Sequence, residues 1–170
     1  MAQVYLGIGS NIERERYVVA GLDALAGLFG QLALSSVYDS ASIGFTGQPF
    51  FNLVVGVDTQ LSPGQLARQL RHIEMEHGRP ANAPRFSARQ LDIDILTHGQ
   101  LSGTVEGVVL PRGEILENAF VLCPLAELAG AAVHPVAGRT YLELWQRYDR
   151  DSQPLQKVDF SWRGRWISRA

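Results

Sequence analysis

The sequence is nearly devoid of cysteine: Cys123 is the single thiol in 170 residues, so no disulfide can form within the chain. That fits a reducing compartment. It also lacks a surplus of either charge, since 15 Lys and Arg stand against 17 Asp and Glu, a formal net charge of -2. Such a balance gives no overall attraction to nucleic acid or to anionic membranes. No stretch approaches the roughly 20 apolar residues that span a bilayer. Met1 to Gly9 holds neither a basic opening nor a long apolar run of the export type. His72, His77, His98 and His134 are scattered and unaccompanied by cysteine, which excludes the usual zinc patterns. There is no G-x-x-x-x-G-K-[ST] phosphate loop, and Gly7-Ile-Gly-Ser10 is not a G-x-G-x-x-G because Ile12 stands at the third glycine. A monomeric cytoplasmic protein that handles small molecules, with no nucleic-acid or membrane partner, is expected.

What is present is an ordinary globular composition, 46% hydrophobic and 19% charged, in a length that suits one domain over residues 1–170. Val4 to Ile8 reads as a buried strand running into a Gly9-Ser10-Asn11 turn. Val18, Leu22, Leu25 and Phe29 recur at helical spacing between Ile12 and Phe29, and Gly30 stops that helix. Leu32 to Tyr38 reads as a second strand and Phe50 to Asp58 as a third, separated by a loop with two glycines and a proline. Ser62, Pro63 and Gln65 spell a capped helix start, Leu66, Leu70 and Ile73 form its buried stripe, and Gly78 closes it. After a loop to Ala88, Gln90 to Leu96 is a fourth strand. The order β-α-β-β-α-β predicts an α+β, ferredoxin-like sheet with helices on one face. Additional C-terminal elements follow: a short strand at Val108 to Leu110 and helices near Ile115 to Leu128 and Tyr141 to Tyr148. The polar tail from Asp149 to Ala170 carries Phe160, Trp162 and Trp166, and its pattern leaves open whether it packs.

The segment Arg85 to Leu96 carries the most chemistry. Leu91, Ile93 and Ile95 alternate with Asp92 and Asp94, so on a strand the apolar set enters the core while both carboxylates share the other face. Residues two apart on a strand are separated by about 6.5–7 Å. Two carboxylates so placed suit hard cations bridged to a polyphosphate, because Mg²⁺ takes one or two carboxylates and fills its octahedron with water and phosphate oxygens. A solvated strand face would carry the same pattern. Arg85 and Arg89, in the loop leading into this strand, weigh toward a site: guanidinium forks meet phosphate oxygens while carboxylates hold the metal. Two surface ion pairs are the plain alternative.

Taken together, these segments resemble the 6-hydroxymethyl-7,8-dihydropterin pyrophosphokinase family of folate biosynthesis. The resemblance runs from Val4 to about Thr140 through Tyr5-Leu-Gly-Ile-Gly-Ser-Asn11, Ser36-Val-Tyr38, Gly44 to Asn52, Glu74-x-x-x-Gly78-Arg79, Arg89-x-x-Asp92-x-Asp94, Leu110-Pro111 and Phe120 to Glu127. It implies a ferredoxin-like fold and transfer of pyrophosphate from ATP, as co-substrate, to the pterin hydroxymethyl group, with release of AMP. It implies two Mg²⁺ ions on Asp92 and Asp94, with Arg79 and Arg89 beside them in the catalytic set. By the same resemblance Asn52 reads the pterin edge and Phe50 and Phe120 stack on the ring, where core packing is the other role for such phenylalanines. Ser40, Ile43 and Gly44 frame the pterin, Asn11 orients the adjoining loop, and Glu74, Arg79, Arg85, Arg89 and Arg112 serve the nucleotide.

This chain departs from the family pattern at four places. Arg112 stands where histidine is usual and Asn118 where arginine is usual. Ala81 to Pro84 lacks the basic residues common there, and Phe86 replaces tryptophan. Fewer cations would meet the triphosphate, unless Arg112 restores one from a different place. The alternatives to a working enzyme are a divergent paralogue with weak or altered activity and a non-catalytic pterin- or nucleotide-binding module.

Overall fold

The computed structural model describes residues 1–41, 47–78 and 90–170. The elements follow one another as β1 (Ala2–Ser10), α1 (Arg14–Phe29), β2 (Ala33–Leu34), β3 (Tyr38–Ser40), β4 (Phe50–Thr59), α2 (Pro63–Glu76) and β5 (Asp92–His98). Then come β6 (Gly103–Val105), β7 (Val108–Leu110), α3 (Glu114–Glu117), α4 (Ala119–Ala129), α5 (Tyr141–Arg147), β8 (Leu155–Lys157), β9 (Phe160–Trp162) and β10 (Arg165–Ser168). The main sheet has the order β5-β1-β4-β3-β8, with β2 also on β4, and every pairing in it is antiparallel. Its first four members give the ferredoxin-like arrangement expected from the sequence.

Alternation along the strands divides the sheet into two faces. Val4, Leu6 and Ile8 of β1, Leu53, Val55 and Val57 of β4, and Ile93 and Ile95 of β5 bury against Val18, Leu22 and Leu25 of α1 and Leu66 and Leu70 of α2. The opposite face carries a second cluster, where Val54 and Leu96 meet Ile115, Leu122 and Leu125, with Tyr141 beyond. The C-terminal helices therefore cover the face that α1 and α2 leave open. The α2 start forms as its sequence specifies: Ser62 Oγ accepts from the Gln65 amide at 3.4 Å and Gln65 Oε1 from the Ser62 amide at 2.9 Å.

Three features differ from the sequence reading. The strand expected over Leu32 to Tyr38 is broken into β2 and β3, because side chains replace its ladder. Ser35 Oγ accepts from the Val54 amide at 2.8 Å, while the Ser36 amide and hydroxyl both donate to Glu127 at 2.7 Å. The helix expected over Ile115 to Leu128 is two helices, since Asn118 sits between them in an extended conformation, φ -117 and ψ 125. The tail packs. β8 adds to the sheet beside β3, Phe160 is 2% exposed in the main core edge-on to Phe51, and the β9–β10 hairpin reaches α1 through Trp162 Nε1 and Arg163 on Asp23.

The turn between α4 and α5 depends on one ring. His134 is 3% exposed, and its Nδ1 accepts from the amides of Val136 and Ala137 at 3.1 and 2.9 Å. Burial lowers its pKa below the usual 6.5, and protonating Nδ1 would sever both bonds. The unfolded chain thus binds the proton more readily than the folded one. The ring's contribution is complete above pH 6.5 and is lost as pH falls from there toward the folded-state pKa. Asn carries an acceptor in the place of Nδ1 but does not titrate. The stability gap between wild type and His134→Asn, measured by urea unfolding, is expected to narrow from pH 7.5 to 5.5, as it follows the titration of His near pH 6.5. A gap independent of pH would show that His134 does not titrate in this way.

Candidate active site

β5 lies at the edge of the sheet, and three attachments fix it. Its inner side pairs with β1, placing Gly9 opposite Asp92 and Gly7 opposite Asp94. Leu91, just before it, packs into α1 at Gly21, where an added Cβ would lie 2.9 Å from Leu91 Cδ1. On the outer side the Ile93 amide donates to Glu74 Oε2 at 2.8 Å. Glu74 is 3% exposed. Its carboxylate supplies the missing ladder partner of an edge strand.

Ile93 and Ile95 point to the main core while Asp92 and Asp94 lie half-buried on the other face, as the alternation predicts. Burial pushes the Asp94 carboxyl well above its ordinary range, and the neighbouring Asp92 charge adds to this; Arg112 opposes it. A half-buried pair of carboxylates on one strand face is an arrangement that a cation can neutralise. Among the described residues no group of three or more His, Cys, Asp or Glu forms a metal-ligand set. Hard oxygen donors in this number suit Mg²⁺, whose other positions go to water and phosphate. The Arg112 amide donates to Leu96 O at 2.8 Å, bringing its guanidinium 3.8 Å from Asp94 Oδ1 and 2.7 Å from Glu114 Oε1.

Beside the acids β1 carries two glycines. One row across the sheet reads Asp92, Gly9, Asn52, Tyr38, so these residues share a face. A Cβ on Gly9 would stand 2.9 Å from Asn52 Nδ2 and 3.4 Å from the Phe50 ring, and one on Gly7 would touch Leu96 at 3.4 Å. Glycine at both places lets Asn52, Phe50 and Leu96 close over β1, between the carboxylates on β5 and the amide on β4, which lie two strand spacings, about 10 Å, apart. Ser40 Oγ donates to Asn52 Oδ1 at 2.6 Å with both residues buried, which fixes the amide and turns its N–H₂ toward Gly9. Asn11 is buried and donates to Gln48 O at 3.2 Å, tying the end of β1 to the segment before β4. Phe50 and Phe120, the latter on the first turn of α4, are half-buried.

Asp92, Asp94 and Arg112 are thus brought together, and so are Ser40, Phe50 and Asn52. Ile43, Gly44, Arg79, Arg85 and Arg89 lie outside the described residues. Asn118 is buried and donates to Glu114 rather than facing open space. Sequence reasoning missed the roles of Gly7, Gly9 and Glu114. The glycines carried a signal, an i, i+2 pair on the face of β1 opposite Leu6 and Ile8. Glu114 carried none beyond lying two residues from Arg112.

A family model described as 7,8-dihydro-6-hydroxymethylpterin-pyrophosphokinase matches residues 5–130. The chain is 37% identical over 153 residues to the 2-amino-4-hydroxy-6-hydroxymethyldihydropteridine pyrophosphokinase of Methylorubrum extorquens, covering 88% of this chain and 95% of that protein. It is 33% identical over 172 residues to the folic acid synthesis protein fol1 of Pneumocystis carinii, covering 94% of this chain and 23% of that protein. The crystal structure of wild-type Plasmodium falciparum HPPK-DHPS with SDX-DHP is similar with a TM-score of 0.66, over 87% of this chain and 44% of that one. At 14% identity that likeness concerns the fold alone.

Replacing Ser40 by Ala leaves the Asn52 oxygen buried without this donor, which costs about 1–3 kcal/mol. The urea midpoint is expected to fall accordingly, and affinity for a reduced pterin, followed by its fluorescence, to fall with it. Wild-type affinity in a folded Ser40→Ala protein would remove the Ser40–Asn52 pair from the pocket.

Proposed function

The chain belongs to the 7,8-dihydro-6-hydroxymethylpterin-pyrophosphokinase family, and from that premise we propose that Asp92 and Asp94 are the magnesium ligands of its reaction. The reaction is transfer of pyrophosphate from ATP to 6-hydroxymethyl-7,8-dihydropterin in folate synthesis. The observation that carries the assignment of residues is the row joining the acid pair, the β1 glycines and the Ser40-held Asn52 amide on one face of the sheet.

In this reading the pterin has Phe50 and Phe120 against its ring and the Asn52 amide on its polar edge. Its hydroxymethyl group then points toward β5. The hydroxymethyl oxygen attacks the β-phosphorus in line, the new O–P bond forming as the bond between the α- and β-phosphates breaks and AMP leaves. Two Mg²⁺ ions, bound by Asp92 and Asp94, would neutralise triphosphate charge and align it. Arg112 meets the triphosphate from the β5 side, and Arg79, Arg85 and Arg89 serve the same end from residues outside those described. Ile43 and Gly44 frame the pterin, and Asn11 holds the neighbouring segment. The near-neutral charge supports a protein that acts on small molecules, which we read as a monomer in the cytoplasm.

A second reading, a paralogue with weak activity, draws on Asn118, which lies in a hydrogen-bonded cluster where the family usually places a cation. One assay separates the two. With ATP, Mg²⁺ and 6-hydroxymethyl-7,8-dihydropterin, AMP is expected to accumulate in step with the pterin diphosphate. Asp94→Asn is expected to lower the rate by about two orders of magnitude or more, the usual cost of removing a preorganised charge-stabilising group. Folded wild-type protein that forms no AMP would sink the reaction in this chain, and an active Asp94→Asn protein would sink the metal assignment.

A further inference from the structure

Arg112 has two carboxylates within reach and sits closer to one of them. Its Nε and one Nη lie 2.9 and 2.7 Å from Glu114 Oε1, against 3.8 Å from Asp94 Oδ1. Glu114 is itself restrained. Its other oxygen accepts from Asn118 Nδ2 at 3.2 Å, and Asn118 Oδ1 accepts from Gln153 Nε2 at 3.0 Å. The orientation of Gln153 is set in turn, because its Oε1 accepts from the Ala119 amide at the start of α4, at 2.9 Å. Every link in this chain pairs a donor with an acceptor, and neither amide can flip without losing a bond at each end. The Glu114 side chain is only 14% exposed, so its bonds to Arg112 and Asn118 are shielded from water.

We propose that Glu114 is a positioning residue for Arg112: it holds the guanidinium off the Asp94 carboxylate and aims it at the nucleotide triphosphate, with Asn118 and Gln153 holding Glu114. The inference rests on the pyrophosphokinase reading above. Arginine beside an unshared carboxylate closes onto it as a bidentate pair. Closed onto Asp94, Arg112 would occupy a cation's place and spend the donors that phosphate needs. With two of its five N–H groups committed to a single oxygen of Glu114, the guanidinium keeps others for phosphate, a division that the planar fork permits and lysine does not. The substitution at 118 also takes its place in this account: Asn118 gives up a cation but anchors the residue that positions another. The C-terminal segment, through Gln153, becomes part of the nucleotide site although it lies behind it.

The test is calorimetric titration of an ATP analogue with a methylene bridge between the α- and β-phosphates, at a series of Mg²⁺ concentrations. Wild type, Glu114→Gln, Arg112→Ala, the double variant and Gln153→Ala are compared. Glu114→Gln is expected to weaken analogue binding, or raise its Mg²⁺ requirement, by about tenfold, the scale of one hydrogen bond to a charged group. Its pterin affinity is expected to stay at the wild-type value, which a general loosening of the fold would not allow. Adding Glu114→Gln to Arg112→Ala is expected to change nothing further. Gln153→Ala is expected to show the same effect at smaller size, and it carries the test should Glu114→Gln fail to fold. Wild-type analogue binding in a folded Glu114→Gln, or in Gln153→Ala where Glu114→Gln does not fold, overturns the proposal; so does a Glu114→Gln effect that adds in full to Arg112→Ala. A wild-type protein that binds no analogue overturns the pyrophosphokinase reading itself, so the two failures are distinct.

Discussion

Two carboxylates one strand repeat apart on the same face repel each other, and Asp94 is partly withdrawn from water as well. A free strand would relieve this by twisting, slipping in register or fraying, and an edge strand has only one neighbour to prevent it. Here β5 is held on both sides: by its ladder to β1, by Leu91 fitted against Gly21, and by the Glu74 carboxylate on the Ile93 amide. Glu74 deserves comparison with the acids it supports. A third carboxylate, placed on the outer side and accepting from a backbone N–H, helps to keep the other two aligned. Backbone contacts thus hold the two carboxylates on one face.

The division of the sheet into two faces decides where a ligand can lie. On the α1–α2 face β1, β4 and β5 each contribute aliphatic side chains and the cluster is continuous. On the other face the cluster of Val54, Leu96, Ile115 and Leu122 covers only part of the sheet. Moving along β5 on this face, Leu96 belongs to the cluster, and Asp94 and Asp92 lie beyond its margin. Moving along β4, Val54 belongs to it, and Asn52 and Phe50 lie beyond. The polar row lies beyond that cluster, with Asp92 half-buried at the sheet edge and Gly9, Asn52 and Tyr38 buried inside it.

Local features were legible in the sequence and long-range ones were not. The Ser62–Gln65 cap spans four residues, and the alternation of Leu91, Ile93 and Ile95 around the acids spans five, so both are written in adjacent letters. The break between β2 and β3 depends on Glu127, 91 residues from Ser36, and the docking of the tail depends on Trp162 and Arg163 meeting Asp23, 139 and 140 residues away. No periodicity encodes such meetings. Glu74 shows the same limit: its bond to the Ile93 amide follows from the edge position of β5, 19 residues away, which no local pattern encodes.

The C-terminal segment shows how a departure at one position can be absorbed at several. With asparagine at 118, the end of α3 and the start of α4 meet through an amide that both donates and accepts, which a guanidinium cannot do. That amide gives Glu114 a fixed partner on one side and Gln153 a fixed partner on the other. Gln153 can reach it because β8, two residues on, is registered against β3, with Leu155 opposite Ser40. Ser40 is also the residue that orients Asn52. The strand that brings Gln153 to Asn118 therefore also pairs beside the residue that orients Asn52, so the Arg112 cluster and the Asn52 amide share one support. Under the proposal that Arg112 meets the triphosphate, a cation absent at 118 is supplied at 112 because Glu114, held by Asn118, fixes that arginine.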